Sequence, residues 1–271
     1  MPTFEYKGKT AHYIESGAGD PVVLLHAGGS SSRQWRKMGT HLERTYRLIA
    51  PDLYGFGETD AWSGPGDLTH DAQADLARAL IERTCDVPVH IVGHSYGGAT
   101  AMRLWLTAPE LVRSLVFIEP ILTPLLPQAG EETLFTEYRT FAETFMQRAE
   151  KGRSVDAWRG FLNLRNGDGT WEGLSDEARQ RFIDQTAQAV DGFKSNLSNP
   201  TTLADCQGVA VPTMVVCGGK TTAPEKRVTE ILRDEIPNSV YEVLPDAEHM
   251  SPLTHPAEVA SLIQRHWRTA S

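Results

Sequence analysis

One serine of this sequence stands in a setting that could make it a nucleophile. Residues 89–105 read VHIVGHSYGGATAMRLW, an apolar run that breaks into glycines around Ser95 and resumes as a helical pattern. Within it, residues 93–97 match G-x-S-x-G between a predicted strand and a predicted helix, where a sharp turn strains the serine and exposes its Oγ. A tight turn with an ordinary serine is the alternative, but the flanking strand and helix favour the catalytic interpretation.

The chemistry of Ser95 depends on partners that are distant in the sequence. A serine hydroxyl is a weak nucleophile unless a base accepts its proton. A histidine suits this role because its pKa near neutrality lets it take the proton and then give it to the leaving group. The chain has nine histidines, so the elements of the fold must decide which of them reaches Ser95.

Strand and helix patterns alternate along most of the chain. The opening segment, residues 3–19, predicts two strands that turn at residues 7–9. Six apolar runs then follow, each typical of a buried parallel strand: PVVLLH (21–26), YRLIA (46–50), VPVHIVG (87–93), RSLVFIE (113–119), VPTMVVCG (211–218) and SVYEVL (239–244). Amphipathic helical stretches separate them, so we expect an α/β protein with a mostly parallel, doubly wound sheet and a site at the carboxyl ends of its strands.

The alternation stops between residues 123 and 205. This segment contains three helical patterns and no convincing strand, which predicts a helical cap inserted after the sixth strand. Residues 1–122 and 206–271 would then form the core. Aromatic residues in the cap suggest an apolar pocket, although their helical spacing favours packing in the cap itself; these are Phe135, Tyr138, Phe141, Trp158, Phe161 and Trp171.

The composition limits the kinds of partner. The 271 residues carry a net charge of −9, so a nucleic-acid backbone would be repelled and we expect no such partner. The apolar runs are too short to span a bilayer, and the first ten residues lack the apolar region of a secretion signal. The three cysteines have no metal-binding spacing. We expect a cytoplasmic enzyme for a small-molecule substrate, with no cofactor, metal or membrane association, and its oligomeric state stays open.

The motifs together resemble the α/β-hydrolase family, in its capped, esterase-like form with a serine nucleophile. Four segments carry the resemblance, in an order that covers nearly the whole chain: HAGG (26–29), PDLYGFG (51–57), GHSYGG (93–98) and DAEHMSPLTHP (246–256). This resemblance implies the α/β-hydrolase fold. It also implies that the turn around Ser95 is the nucleophile elbow of that family.

The resemblance implies further groups for the reaction. In that family the oxyanion is bound by the backbone N–H after the nucleophile and by one from the H-G-x loop, which correspond to Tyr96 and Gly28 here. Ala27 stands where that loop usually has glycine. The family order of serine, acid and histidine, with the loop that follows SVYEVLPDAE, selects His249 as the base. Asp52 lies in a D-x-x-G-x-G turn and is interpreted as structural.

The position of the acid departs from the usual pattern. Most relatives have G-x-x-D after the strand written here as VPTMVVCG, but residues 218–222 read GGKTT, which puts the neutral Thr221 there. Glu119 ends the preceding strand beside the elbow, where certain dehalogenases of the family carry their acid, and neighbouring strands are only about 4.8 Å apart. A carboxylate that ends a buried strand also needs a partner. We therefore predict a triad of Ser95, Glu119 and His249, with the alternative acids Asp246, Glu225 and Glu248.

These residues predict acyl transfer to water. Ser95 would attack a small or medium, mostly apolar ester, and water would release the acyl group. Serine at position 95 argues against dehalogenase or epoxide hydrolase chemistry, which uses a carboxylate nucleophile. Hydrolysis of a carbon–carbon bond, lyase chemistry and a non-catalytic ligand-binding role remain alternatives, because one fold supports many functions.

Overall fold

The computed structural model describes residues 2–269, and a single eight-stranded sheet lies at the centre of that part of the chain. Its strands are β1 (Thr3–Tyr6), β2 (Lys9–Ser16), β3 (Asp20–Leu25), β4 (Tyr46–Pro51), β5 (Val89–His94), β6 (Val112–Ile118), β7 (Thr213–Gly218) and β8 (Val240–Leu244). They are ordered β1-β2-β4-β3-β5-β6-β7-β8. The pairs β1–β2 and β2–β4 are antiparallel and the other pairs are parallel. The predicted mostly parallel sheet is confirmed.

The sequence accounts for both kinds of pairing. β1 and β2 are joined at Lys7 and Gly8, which have φ of 50° and 72°, and two successive residues in this left-handed region make a tight hairpin turn. The central strands β5, β6 and β7 are buried almost throughout. Their continuous apolar runs fit this position because helices cover both faces of the sheet.

Helices from outside the segment between β6 and β7 lie on both faces of the sheet. They are α1 (Arg36–Leu42), α2 (His70–Thr84), α3 (Tyr96–Thr107), α10 (Ala223–Glu235), α11 (Ser251–Thr254) and α12 (Pro256–Thr269). The apolar cluster on one face includes residues of α2, α3 and α10, and the cluster on the other face includes residues of α1 and α12. Across residues 2–269, every helix is too short or too polar to cross a bilayer.

Further helices fill the segment between β6 and β7. They are α4 (Leu125–Gln128), α5 (Glu132–Glu150), α6 (Ser154–Asn166), α7 (Asp176–Asp184), α8 (Thr186–Leu197) and α9 (Leu203–Gln207). Four of them, α5 to α8, share an apolar cluster of their own, in which the rings of Phe145 and Trp158 are 5.1 Å apart. We call α5 to α8 the inserted helices. The division of the chain into a cap at 123–205 and a core stays a prediction.

The register of the parallel strands determines which residues meet at the carboxyl edge. His94 pairs with Ile118 across β5 and β6, and Ile118 pairs with Val216 across β6 and β7. Since parallel strands end at the same edge of a sheet, the residues that follow β5 and β6 emerge side by side. These residues are Ser95 and Glu119.

Candidate active site

Ser95 occupies a strained turn between β5 and α3. Its φ of 54° and ψ of −115° lie outside the regions that residues other than glycine ordinarily adopt. The turn is tight enough to require its glycines, because a Cβ on Gly97 would lie 2.1 Å from the Leu25 carbonyl oxygen. The Ser95 N–H donates to the Ile118 carbonyl at 3.0 Å, which ties the turn to the neighbouring strand. The G-x-S-x-G pattern thus produces a serine whose backbone is held by the sheet.

His249 lies between Ser95 and Glu119, in the loop after β8. Its Nε2 is 2.9 Å from Ser95 Oγ, and its Nδ1 is 2.7 Å from Glu119 Oε2. The three side chains form one hydrogen-bonded series although His249 is 154 and 130 positions from its two partners. In this arrangement a histidine can accept the serine proton while the carboxylate holds the imidazole in the required tautomer.

Glu119 is a fully buried carboxylate whose oxygens all face donors. Oε1 accepts the Gly218 N–H, and Oε2 accepts the Thr221 hydroxyl at 2.7 Å in addition to His249. Burial alone raises the pKa of this carboxyl, but the hydrogen bonds from His249, Thr221 and Gly218 outweigh burial and hold its pKa below the usual range. Glu119 is therefore a charged acceptor at neutral pH.

The alternative carboxylates lie elsewhere. Asp246 is 84% exposed and pairs with Lys220 at 3.0 Å, and Glu248 is exposed. Glu225 forms a buried ion pair with Arg165. Of the four acids that the sequence offers, the structure brings Glu119 to His249.

A second histidine supports the backbone of the first. His94 Nε2 is 2.8 Å from the His249 carbonyl oxygen, and the Gln34 amide nitrogen is 3.1 Å from His94 Nδ1. Because the amide nitrogen is a donor, His94 Nδ1 accepts and Nε2–H donates to His249. Burial, followed by the nearby charge of His249, lowers the pKa of His94 to about 3, so it remains neutral. In the sequence His94 is simply the residue before Ser95 in the G-x-S-x-G turn, and no motif marks Gln34.

The loop that contains Gly28 is fixed against the same groups. Gln34 Oε1 accepts the Ala27 N–H at 3.1 Å. His26 Nδ1 is 2.8 Å from the Ala27 carbonyl, and His26 Nε2 accepts the Leu53 N–H at 3.1 Å. Ala27 does not have a positive φ, so its Cβ is tolerated where the family usually has glycine. The departure at Ala27 is therefore compatible with the backbone conformation of the loop.

Gly28 and Tyr96 are adjacent at the end of the cavity that contains Ser95. A Cβ on Gly28 would be 3.6 Å from Tyr96 Cβ, and both residues line the cavity with Ser95 and His249. Within residues 2–269, neither backbone N–H has a protein acceptor. Tyr96 is the first residue of α3, where backbone N–H groups lack a partner within the helix. Both N–H groups can therefore donate to a bound oxygen.

Asp52 has the structural role that its turn predicts. Its Oδ1 accepts the Ser32 N–H at 2.7 Å and its Oδ2 accepts the Glu58 N–H at 2.9 Å. A carboxylate that bridges two loop amides in this way stabilises the loops around the carboxyl edge. It does not contact Ser95 or His249.

A cavity of about 400 Å³ extends from Ser95 to the inserted helices. Of the six aromatic residues that the sequence suggested, Tyr138, Trp158 and Phe161 line it and also pack in the cluster of the inserted helices. Phe135, Phe141 and Trp171 are not among its lining residues. Most of the wall is apolar, which is typical of a site for a small molecule. In the described part of the chain, no cluster of His, Cys, Asp and Glu side chains is arranged to bind a metal ion.

Comparison with known proteins identifies the family. Residues 20–256 match the family model described as alpha/beta hydrolase fold. The 2-hydroxy-6-oxo-6-(2'-aminophenyl)hexa-2,4-dienoic acid hydrolase of Metapseudomonas resinovorans is 28% identical over 262 residues, which is 94% of this chain and 86% of that protein. A 2-hydroxymuconate semialdehyde hydrolase of a Pseudomonas species is 26% identical over 264 residues, with coverage of 92% and 87%.

Solved structures agree on the fold. A thermophilic esterase from Thermogutta terrifontis matches with a TM-score of 0.75 at 23% identity, over 99% of this chain and 97% of that one. The likeness extends through the core and the segment between β6 and β7, because the match covers almost the whole of both chains. The chain belongs to the alpha/beta hydrolase fold family and is a hydrolase.

Proposed function

We propose that this protein is a serine hydrolase that cleaves a small or medium, mostly apolar ester through an acyl-enzyme. The observation that carries the proposal is the hydrogen-bonded series from Ser95 Oγ through His249 to Glu119. A buried, charged carboxylate is costly unless it is paired and hydrogen-bonded. In the proposed reaction the charge of Glu119 stabilises the imidazolium that forms transiently at His249.

The first half of the reaction forms the acyl-enzyme. Ser95 Oγ attacks the ester carbonyl carbon while His249 Nε2 accepts the Oγ proton, and the carbonyl electron pair moves to oxygen. The N–H groups of Gly28 and Tyr96 donate to this oxyanion. The tetrahedral intermediate then collapses, the bond to the alcohol oxygen breaks, and the imidazolium gives its proton to that oxygen. Glu119 stays ionised throughout and keeps the Nδ1 proton of His249 in place.

The second half releases the acid. His249 Nε2 accepts a proton from water, and the resulting hydroxide oxygen attacks the acyl carbon. The same two N–H groups stabilise the oxyanion. When the intermediate collapses, the bond to Ser95 Oγ breaks and the imidazolium returns a proton to it. The enzyme is restored and no cofactor is consumed.

The cavity supports the substrate class. Its apolar wall would favour hydrocarbon parts of a substrate, since burial of apolar surface contributes about 25 cal/mol per Å². In this proposal residues 123–205 act as a cap that covers the bound molecule and limits access of water to the acyl-enzyme. The partner is then a small molecule of a size that a cavity of about 400 Å³ can enclose.

Turnover of p-nitrophenyl butanoate, hexanoate and octanoate tests the proposal, with a Ser95→Ala variant as the control. We expect turnover by the wild type, no turnover by Ser95→Ala, and an acyl adduct on the peptide that contains Ser95 in rapidly quenched samples. Turnover that survives in Ser95→Ala would refute the assignment of the nucleophile.

Hydrolysis of a carbon–carbon bond is a second candidate. Two relatives that match most of this chain are named for acids that carry an oxo group or an aldehyde rather than an ester. The same serine, histidine and oxyanion donors could serve that reaction, because attack on a ketone also forms an oxyanion. Parallel assays with an apolar ester and a 2-hydroxy-6-oxo-dienoic acid separate the two candidates. A higher kcat/KM for the dienoic acid would favour the second.

A further inference from the structure

Three of the polar side chains that line the cavity lie near one another on the inserted helices. They are the Tyr138 hydroxyl on α5, the Arg165 guanidinium on α6 and the Asn196 amide on α8. We call these three groups the polar corner. They come from the inserted helices and none of them belongs to the hydrogen-bonded series of Ser95. Their presence therefore needs an explanation beyond the chemistry at the serine.

The Tyr138 hydroxyl has a proton left to donate. His70 Nε2 is 2.9 Å from Asn196 Oδ1, which directs the other end of the amide to Tyr138. Asn196 Nδ2 donates to the Tyr138 oxygen at 3.0 Å. That oxygen accepts in this contact, so its own proton is free for another acceptor. Burial raises the pKa of Tyr138, and the hydroxyl keeps its proton at any ordinary pH.

Arg165 also has donor capacity left over. Its Nη2 donates to Glu225, and its guanidinium lies over the Phe161 ring at 5.3 Å from the ring centre. The side chain is only 10% exposed, and its Nε is buried without a hydrogen-bond partner. A buried donor of this kind is costly when it is unpaired. The guanidinium N–H groups that do not bind Glu225 could donate to a ligand oxygen in the cavity that Arg165 lines.

Tyr138 and Arg165 lie next to each other. Both also line a small neighbouring cavity of about 70 Å³, together with Glu225. After burial, the charge of Arg165 lowers the pKa of Tyr138 and the charge of Glu225 raises it, as expected for charged groups near the hydroxyl. One ligand oxygen could therefore accept from the tyrosine hydroxyl and the guanidinium together.

The charge balance of the corner selects the kind of oxygen. Arg165 is already paired with Glu225, whose side chain is 2% exposed, so the buried pair has no net charge. A ligand carboxylate would add a second negative charge to one guanidinium and leave a buried charge uncompensated. An uncharged carbonyl oxygen can accept both hydrogen bonds without that cost.

We propose that the polar corner binds an uncharged carbonyl of the substrate, so that the preferred substrate is an ester with a second, neutral carbonyl group such as a ketone. This inference rests on the proposed esterase function and defines its substrate class. Tyr138 and Arg165 are the specificity-determining residues. The corner distinguishes this ketone from a methylene group and from a carboxylate at the same position.

The test compares matched esters on matched variants. Each set contains three esters of equal chain length: one with only methylene groups, one with a ketone and one with a terminal carboxylate. In one series the ketone stands at successive carbons of the acyl chain, and in the other at successive carbons of the alcohol. The wild type should have a kcat/KM about tenfold higher for the best ketone ester than for its methylene analogue, since one net hydrogen bond corresponds to about that factor. Tyr138→Phe and Arg165→Met should bring the ratio close to one. Phe182→Leu, which changes an apolar wall of the same cavity, should keep it.

Three results would overturn the inference. They are a ratio near one for the wild type in both series, a ratio that both variants retain, and a preference for the carboxylate ester. If Arg165→Met fails to fold because Glu225 is left unpaired, then Tyr138→Phe and the double variant Arg165→Met/Glu225→Gln decide the matter.

Failure of the proposed function gives a different result. In that case even the methylene esters are not cleaved. Calorimetric binding of the ketone and methylene esters to Ser95→Ala then judges the corner without turnover. Tighter binding of the ketone ester supports the corner, and equal affinities refute it.

Discussion

Replacement of Glu119 by glutamine is the most informative perturbation of the hydrogen-bonded series. Its two carboxylate oxygens accept from three donors: the Gly218 N–H, the Thr221 hydroxyl and His249 Nδ1–H. Glutamine supplies one oxygen and one NH₂ group, so at least one of the three donors must face the NH₂ group. The Gly218 N–H belongs to the backbone of β7 and cannot turn away, which favours the amide oxygen on its side and the NH₂ group toward His249.

The cost to catalysis follows from that orientation. An NH₂ group that faces Nδ1 requires Nδ1 to accept a hydrogen bond, which moves the imidazole proton to Nε2. A protonated Nε2 can no longer take the proton of Ser95. The variant also lacks the negative charge that stabilises the imidazolium. We expect kcat to fall by about 10³- to 10⁴-fold while KM changes little, because Glu119 does not line the cavity.

The assay is the steady-state hydrolysis of an apolar p-nitrophenyl ester, with two control variants. Thr221→Val removes one hydrogen bond to Glu119 but keeps the carboxylate, and should lower kcat less than about tenfold. Asp246→Asn neutralises the exposed alternative acid and should leave kcat unchanged. More than about a tenth of the wild-type kcat in Glu119→Gln, or a larger loss of activity in Asp246→Asn than in Glu119→Gln, would show that Glu119 is not the acid partner of His249.

Three further predictions concern the surroundings of the series. Ser95→Gly should raise the free energy of unfolding by about 1 kcal/mol, because glycine relieves the backbone strain at φ 54°; denaturant titration that shows a loss would contradict this. Burial lowers the pKa of His70 to about 4, so between about pH 6.5 and 4 the unfolded chain binds a proton that the folded chain does not, and the free energy of unfolding decreases by about 1 kcal/mol for each unit by which the pH falls. His70→Gln should reduce the slope of unfolding free energy against pH by that amount, and an unchanged slope would refute it. Gln34→Leu removes the contacts to His94 and Ala27 and should lower kcat about tenfold at constant KM, whereas a change in KM alone would contradict a positioning role.

The sequence predicted the parts of the site that strands and turns position. Ser95 could be located because glycines and a strand-to-helix change mark its turn, and the fold family was recognisable from four short motifs. Glu119 could be predicted because the residues that follow two neighbouring parallel strands must emerge at one edge. The assignment of a catalytic role to Glu119 remains a proposal.

Other contacts lay beyond sequence reasoning because neither a motif nor a shared strand edge indicates which side chains meet. Asn196 and Tyr138 are 58 positions apart, and Arg165 and Glu225 are 60 apart. Each of these residues sits on a helix whose apolar spacing predicts the helix but not its rotation or depth against the sheet. Polar contacts between such helices depend on tertiary packing, so the polar corner became visible only in the folded structure.

The proposed reaction depends first on Ser95 being an activated nucleophile. The most direct measurement is intact-mass and peptide analysis after exposure to a fluorophosphonate, with Glu119→Gln alongside the wild type. We expect one covalent adduct on Ser95 of the wild type and labelling that is slower by orders of magnitude in the variant. Absence of an adduct on wild-type Ser95, or an equal rate of labelling in Glu119→Gln, would contradict this expectation.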